Sequence, residues 1–399
     1  MYKGKFTSDV ILSSVATAMP LITLQFVVFP LLAIRLNEDI FGFFITTVGI
    51  ATIISSTFGG ALNNIRLLLN SEYENEQISG DFNLLLCICC GAGLLISLFF
   101  VLQNNQMLSG VGMALFLLIP LSSILATYYN VAFRLEINYK KFLINNIIES
   151  VGFLAGYGLF LVTNYWQFIY ILGFGFSIVY YISLRIPLMR EPILMTHKFK
   201  KTFKHLLILI FVSLLSSSLI YIDRLILYPL LGGEAVSIYY AATVVGKLIL
   251  AASAPVGGVM LSYFARMSSI NKKILLQLMI YSSAAGVVGY FICIIISPRF
   301  LSFLYPAFAG DAIRYIYITT LTAVINVICT FLNPVILSFY NLNWQIIINV
   351  ISIAIYLLLS ILLLMSYGLM GFCIGALVSS AARFLLMTGI CFLKKQRSA

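Results

Sequence analysis

The sequence predicts an all-α integral membrane protein with about twelve transmembrane helices, in two parallel-related six-helix bundles around a central cavity. Composition is the first observation behind this class. The 399-residue chain is 61% hydrophobic and 9% charged, whereas soluble domains carry about 25% charged residues. The second observation is a series of apolar runs near the roughly 20-residue length that crosses a bilayer. The third is the one-sided distribution of Lys and Arg between those runs.

Twelve apolar runs justify the number of helices. The predicted spans are residues 9–34, 40–62, 82–102, 108–133, 142–163, 167–187, 206–231, 236–263, 274–297, 312–340, 344–365 and 369–392. The first run is too long for the apolar region of a signal peptide and lacks a small-residue cleavage site, so it is predicted to be a span.

The distribution of basic residues sets the predicted orientation. With the N-terminus inside, eighteen of the twenty-four Lys and Arg fall on the cytoplasmic side, three fall outside and three lie within spans. Cytoplasmic loops carry the excess of Lys and Arg in membrane proteins, so both termini are predicted to be cytoplasmic. The net charge of +11 therefore reflects topology, and no nucleic-acid partner is predicted.

The predicted domains are an N-terminal bundle over residues 1–187, a basic connector over 188–205 and a C-terminal bundle over 206–399. A weak internal repeat supports the two halves, because four polar residues recur 203 positions later: Thr127, Asn130, Asn138 and Asn146 match Thr330, Asn333, Asn341 and Asn349. Six spans per half is an even number, so the halves share one orientation, as in transporters with a cleft between parallel repeats.

The connector has two interpretations. Its basic residues suit contact with anionic lipid or with a cytoplasmic partner. A topogenic link between the two bundles, without further function, is the favoured interpretation.

Five ionisable residues lie well inside the predicted spans, away from their ends: Glu149, Asp223, Arg224, Lys247 and Arg383. Charges at this depth are costly and usually face protein or a water-filled cavity. Lys247 lies roughly 17 Å from the outer end of its span, near the bilayer midplane. We predict substrate contacts for Lys247, Arg224, Asp223 and Arg383; a structural ion pair of Asp223 and Arg224 is an equal alternative.

A second group of in-span residues is polar or bends the helices. The candidate coupling or cavity residues are Glu149, Gln25, Asn146 and Asn326. The candidate gating prolines are Pro20, Pro30, Pro229 and Pro255, since each proline removes a backbone hydrogen bond and permits a kink. A purely structural role is also common for prolines in membrane helices.

Catalytic chemistry is missing from the sequence. There is no nucleophile–base pair or phosphate loop, and the cysteine-rich stretch 87–90 has no partnering His or Cys cluster. No catalytic residue, metal or cofactor is therefore predicted, and transport is favoured over bond-breaking. A membrane polysaccharide polymerase or ligase is the enzyme alternative, but the longest predicted outer loop, 298–311, is short for one.

Two stretches resemble polysaccharide flippases of the Wzx type, within the multidrug/oligosaccharidyl-lipid/polysaccharide (MOP) exporter superfamily. The first is the hairpin Tyr221–Leu227 followed by Gly232–Ala242, where an acidic residue precedes a Gly-containing turn. The second is Leu304–Phe308. The chain departs from related lipid-linked precursor flippases in having no cation at depth in its first two spans.

The resemblance implies a cargo of undecaprenyl-diphosphate-linked oligosaccharide, moved from the inner to the outer leaflet of a bacterial cytoplasmic membrane for O-antigen, capsule or exopolysaccharide synthesis. It implies membrane lipids, a polysaccharide polymerase and a chain-length regulator as partners. A multidrug exporter of the same superfamily is the alternative function. That cargo favours cavity carboxylates, whereas the spans hold two carboxylates against three basic groups.

Overall fold

The computed structural model describes residues 2–104, 108–264, 267, 270–340 and 343–393. Every regular element among them is helical, which confirms the predicted class. The α-helices are α1 Tyr2–Ile22, α2 Phe29–Arg35, α3 Glu38–Ile54, α4 Ala61–Asn75, α5 Asp81–Gln103, α6 Gly110–Tyr129, α7 Val131–Leu135, α8 Tyr139–Thr163, α9 Gln167–Ser183, α10 Phe199–Phe264, α11 Lys272–Leu304, α12 Pro306–Phe339 and α13 Asn343–Leu393. Two π-helical segments, Thr23–Val28 and Ser55–Gly60, and a 3₁₀ turn, Pro187–Arg190, complete the described elements.

Within the described residues, nine helices are long and apolar enough to cross a membrane. The 66 residues of α10 would measure roughly 99 Å if straight, about three times the hydrocarbon thickness. This helix is broken at Gly232, whose φ is 81°, and α13 is broken at Tyr367 and Gly368. Both breaks fall between predicted spans. The total of twelve stays a prediction, since it counts α10 and α13 twice and adds the shorter α9.

The second span is longer than predicted. The sequence suggested residues 40–62, but helix continues without interruption from Glu38 through α3, the second π segment and α4 to Asn75. Thirty-eight residues measure roughly 57 Å, far more than the ~30 Å hydrocarbon core. The polar end of α4 therefore extends beyond the bilayer.

The helices form two compact units. Unit 1 comprises Met1–Leu32 and Thr46–Asp223, and unit 2 comprises Ala33–Ile45 and Arg224–Ala399. Residues 33–45, from the end of the first span to the start of the second, are thus counted with unit 2, and residues 206–223 with unit 1. Division of the bundles at residues 187 and 206 stays a prediction.

The connector is an integral part of unit 1. The guanidinium of Arg66 donates two hydrogen bonds to the carboxylate of Glu191, at 2.8 and 2.6 Å, and the two side chains are only 8% and 15% exposed. The amide of Asn83 donates to the carbonyl oxygens of Leu188 and Glu191. Removing one partner of a buried ion pair strongly destabilises a protein, because the other charge is left buried without compensation. This pair therefore fixes the start of the connector.

Asp81 fixes the other end of the connector. The acidic residues of the stretch 70–81 are typical of a solvated surface, but Asp81 is fully buried. Its carboxylate accepts hydrogen bonds from the hydroxyl of Tyr73 and from the backbone N–H and hydroxyl of Thr196. Nearby, Lys198 forms an ion pair with Glu76, and its hydrogen bond lowers the pKa of that carboxyl.

In unit 2, the start of α3 packs against the second part of α10. The hydroxyl of Ser237 donates to the carbonyl of Glu38 at 2.6 Å, and the backbone N–H of Glu234 donates to Asp39 at 3.2 Å. Gly42 and Gly233 meet backbone to backbone, with no room for a side chain on either. This close approach positions the end of the 33–45 segment.

Candidate functional site

Arg224 is the most enclosed of the predicted cations, with 5% of its surface exposed. Its guanidinium donates to the carbonyl of Ile45 at 3.2 Å and lies 5.3 Å from the ring centroid of Tyr240. Tyr240 in turn contacts Phe41 and Tyr305 edge-on or tilted. Aromatic faces attract a guanidinium through their quadrupole, so this aromatic cluster of unit 2 stabilises the buried charge.

Asp223 is also buried, at 5% exposure, but it is counted with unit 1 whereas Arg224 is counted with unit 2. Adjacent positions on a helix point about 100° apart. Arg224 accordingly has contacts of its own in Ile45 and Tyr240.

Exchanging the two residues, Asp223→Arg with Arg224→Asp, is expected not to restore activity lost in the single variants. An aspartate at position 224 would face the carbonyl of Ile45, and two acceptors cannot bond one another. Transport by the double variant, compared with Asp223→Asn and Arg224→Gln alone, measures this. Recovery in the double variant would show that the two residues act mainly as a mutual pair.

Lys247 lies in the second part of α10 and is half-buried. Its Nζ is 5.8 Å from the ring centroid of Tyr239. That ring packs edge-on against Phe372 at 5.2 Å, and Phe372 packs against Tyr356 at 6.0 Å. The aromatic row packs around Tyr239, and Lys247 lies beside it with part of its surface exposed.

Arg383 and Asn326 are brought near one another in unit 2. The amide of Asn326 on α12 donates to the hydroxyl of Ser380 on α13 at 3.1 Å. Ser380 precedes Arg383 by three residues, so both lie on one helix face. The Nε of Arg383 is buried and has no hydrogen-bond partner within the described residues. Buried donors are usually hydrogen-bonded, so this group could still donate a hydrogen bond to a ligand.

Unit 1 contains a small cavity of about 60 Å³. One part of its lining is hydroxylic and the other is aromatic: Thr47, Thr52, Ser55 and Ser123, with Phe116, Trp166, Tyr170 and Phe174. Sequence analysis had singled out none of the aromatic residues, because an apolar run does not reveal which of its aromatic side chains share a cavity.

Glu149 belongs to a polar cluster one turn from this cavity. Its carboxylate accepts a hydrogen bond from Ser177 at 3.1 Å, and Ser177 follows the cavity residue Phe174 by three positions. The amide of Asn145 donates to the hydroxyl of Tyr181, which donates to the carbonyl of Ala126.

The remaining predicted polar residues, Asn146 and Gln25, are described by their positions within their own helices. The amide of Asn146 donates to the carbonyl of Phe142, one turn earlier in α8. Gln25 lies inside the first π segment and is half-buried.

The predicted prolines occupy different kinds of position. Pro20 lies inside α1, and Pro30 is the second residue of α2, two positions after the end of the first π segment. Pro229 precedes the break at Gly232 by three residues. The side chain of Pro255 lies outside the described residues.

The two π segments are features that sequence reasoning missed. Wide i→i+5 turns of this type are rare and often occur at functional sites. Pro30 lacks the N–H that an α-turn would direct at the carbonyl four residues earlier, which is a usable signal for the first segment. In the second, Gly59 lies against Ile124 and Thr127 of α6, and Ser55 hydrogen-bonds Thr127 at 3.1 Å.

Together, the apolar helices, their internal breaks and the buried in-span charges define a multi-pass membrane protein. Its fold is similar to that of solved transporters of the MOP superfamily. Over 94% of this chain and 86% of that chain, the structure is similar to a lipid II flippase, MurJ, in an inward closed conformation, with a TM-score of 0.71 and 17% identity.

Multidrug transporters share the fold as well. A eukaryotic MATE transporter, AtDTX14, matches with a TM-score of 0.64 and 13% identity, over 98% of this chain and 97% of that one. An inward-facing multidrug resistance MATE family transporter of the MOP superfamily matches with a TM-score of 0.64 and 12% identity, over 94% and 97%. No protein-family model and no curated protein matches the sequence. At these identities the likeness is one of fold.

Proposed function

We propose that this protein is a flippase that translocates undecaprenyl-diphosphate-linked oligosaccharide units from the inner to the outer leaflet by alternating access. The product would feed O-antigen, capsule or exopolysaccharide synthesis. A polysaccharide polymerase and a chain-length regulator are the protein partners that we propose. The bacterial cytoplasmic membrane is the proposed location.

The charge inside the spans of unit 2 carries this proposal. Arg224, Lys247 and Arg383 supply three cations there, and the acidic residues of unit 2 all lie at helix ends: Glu38, Asp39, Glu234 and Asp311. A diphosphate is recognised by charge-assisted hydrogen bonds from Lys and Arg, and such bonds are stronger where water is excluded. An anionic cargo suits this unit better than a cationic one.

The three cations differ in how far they are already engaged by protein groups, and this difference suggests the order in which they would contact the cargo. Arg224 is held by Ile45 and Tyr240, whereas Lys247 is only half-buried. We assign Lys247 the first contact with the diphosphate, with Arg383 as a second donor. The break near Pro229 and the π segment before Pro30 would let helix ends move to admit the lipid tail.

Unit 1 supports a second candidate, the multidrug exporter. Its cavity is lined by four aromatic side chains, and aromatic faces bind organic cations. Glu149, one turn away, is an in-span carboxylate of the kind that couples transport to cations. The flippase would carry an anionic cargo and the exporter a cationic one. Two transport assays in the same liposomes therefore separate the two functions.

The test uses purified full-length protein in liposomes with an undecaprenyl-diphosphate-linked N-acetylglucosamine that carries a nitrobenzoxadiazole (NBD) fluorophore. Dithionite, which does not cross the bilayer, destroys only the outer-leaflet fluorophore unless the lipid is flipped. Protein-dependent loss of the protected fluorescence is the expected result. Protein-free liposomes and a monophosphate analogue of the lipid are the controls.

Ethidium accumulation in the same liposomes, under an imposed proton gradient, tests the exporter. Ethidium transport without lipid transfer would contradict the flippase and favour the second candidate. Lipid transfer without ethidium transport would support the flippase.

The proposed orientation has its own prediction. Reporter fusions after Lys204 and Lys273 are expected to be active on the cytoplasmic side, and a fusion after Gly233 on the outer side, because Lys and Arg concentrate on one side of the predicted spans. Paired alkaline phosphatase and green fluorescent protein fusions measure this. A cytoplasmic signal at Gly233 would rule out a membrane crossing between the connector and the break in α10.

A further inference from the structure

Three consecutive apolar side chains are exposed on the connector. Ile193, Leu194 and Met195 are 59%, 58% and 67% exposed, respectively. They lie in a non-helical stretch between the 3₁₀ turn Pro187–Arg190 and α10. Exposed apolar residues are expected on helices that face lipid, but a run of three on a loop between helices marks an interaction surface.

The place of this apolar triplet follows from its contact with the start of α5. A Cβ added to Gly80 would come within 3.1 Å of the backbone N and 3.0 Å of the carbonyl oxygen of Leu194. Gly80 directly precedes α5, whose 23 residues measure roughly 35 Å and therefore just cross the hydrocarbon core. Leu194 consequently lies at the boundary between the hydrocarbon and the aqueous phase.

The triplet is held in place at both ends. Glu191 pairs with Arg66 before it, and Thr196 bonds to the buried Asp81 after it. Its backbone is not helical, and a lipid-exposed irregular backbone is not tolerated within the hydrocarbon. The segment therefore belongs at headgroup depth, where water can satisfy its backbone while its side chains reach apolar surroundings.

Basic residues flank the triplet. Residues 185–204 contain six Lys and Arg and a single acidic residue, Glu191, which pairs with Arg66. Two of the six, Lys198 and Lys201, pair with Glu76 and Glu72. Arg190, Lys200 and Lys204 are exposed. Apolar side chains with basic neighbours at a membrane surface bind anionic lipid, through partial insertion and electrostatic attraction together.

We propose that the connector is a docking surface for anionic phospholipid headgroups in the leaflet that it contacts. Ile193, Leu194 and Met195 insert between the headgroups, while Arg190, Lys200 and Lys204 contact lipid phosphates. The ion pair of Arg66 and Glu191 and the bonds of Asp81 hold the surface against unit 1. This inference does not rest on the proposed cargo, because the connector residues that form the surface are separate from the in-span charges assigned to cargo binding.

The experiment places an NBD label on Leu194→Cys in the full-length protein. Cys87→Ser provides the background, because Cys87 is the exposed cysteine and the other six are buried. The protein is reconstituted in nanodiscs of phosphatidylcholine alone or of phosphatidylethanolamine with phosphatidylglycerol. In the anionic nanodiscs, reduction of the label by dithionite should slow by roughly threefold or more, and lipids with a nitroxide near the headgroup should quench it.

Two controls separate insertion from charge. The same label on Asn75→Cys, at the exposed end of α4, should stay accessible in both lipids. Lys200→Gln with Lys204→Gln should remove the effect of phosphatidylglycerol, whereas Lys140→Gln with Lys273→Gln, also exposed lysines, should not.

Two results would overturn the proposal. Equal protection at position 194 in both kinds of nanodisc would show that anionic lipid is not recognised. Full accessibility in both, as at position 75, would show that the surface faces water and is open to a soluble partner instead.

Discussion

Replacing Lys247 by alanine should reduce lipid-linked oligosaccharide transfer by at least about tenfold while leaving the protein in the membrane. Lys247 lies roughly 22 Å along α10 from the break at Gly232, inside the ~30 Å hydrocarbon core. A hydrogen bond to a charged group contributes about 1.5–3 kcal/mol, which corresponds to roughly ten- to hundredfold in binding. The loss should appear in transport, because removal of a costly in-span charge does not hinder insertion.

Lys247→Arg distinguishes charge from geometry. Arginine keeps the positive charge but presents a planar fork in place of a compact ammonium, so part of the activity should remain. Lys273→Ala, which removes an exposed lysine at the start of α11, is the matched control and should transport normally. The measurements are the dithionite assay on purified protein and the amount of protein in membranes.

Two outcomes would count against a cargo role for Lys247. Normal transfer by Lys247→Ala would remove this residue from the proposed site. Failure of that variant to accumulate would show that the ammonium over the ring of Tyr239 is structural.

Gly42→Ala is expected to have the largest effect on stability. Its Cβ would fall on the backbone carbonyl of Gly233, closer than atoms can pack, and a Cβ on Gly233 would meet the backbone of Asp39 in the same way. Overpacking usually costs about 1–3 kcal/mol and occasionally more. Here the obstacle is backbone and cannot rotate away, so we expect a loss of roughly 3 kcal/mol.

The same substitution should also affect transport. Ile45, whose carbonyl accepts the hydrogen bond from Arg224, follows Gly42 by three residues on α3. A shift of α3 away from Gly233 would lengthen that bond. Gly42→Ala should therefore lower both the thermal unfolding temperature and the transfer rate per folded molecule.

Gly289→Ala is the matched control, because a Cβ there would meet nothing within 4 Å. Removing a glycine from a helix interior gains roughly 0.5–1 kcal/mol, so this variant should be as stable as the parent or slightly more so. Equal unfolding temperatures for the two variants, measured by fluorescence-detected size exclusion after heating, would disprove the close approach of Gly42 and Gly233.

Hydropathy predicted the all-helical class and the breaks near residues 232 and 368, because glycines interrupt the apolar runs there. It failed at residues 63–75, where polar side chains end the apolar run but not the helix. Arg66 is stabilised in α4 by Glu191, 125 positions away. Hydropathy averaged over about twenty neighbouring residues contains no information about a partner so far away in the sequence.

The candidate site was predictable in its residue types and not in its contacts. Charges inside apolar runs identified Arg224 and Lys247. Their neighbours Ile45, Tyr240 and Tyr239 emerge only when the helices are packed, and the bond from Arg224 to Ile45 joins residues 179 positions apart. The cavity of unit 1 was missed for the same reason.

The π segments at Thr23–Val28 and Ser55–Gly60 alter how the first two spans respond to changes in chain length. A turn closed by an i→i+5 bond holds about one more residue than an α-turn, so the helical faces before and after it are out of phase. If one regular α-helix is assumed for the whole span, residues after position 28 in the first span or 60 in the second would be assigned to the wrong helix face. Deleting a single residue inside either segment would convert it to α-helix and leave both flanking faces where they are, whereas the same deletion elsewhere in these spans would rotate everything that follows by about 100°.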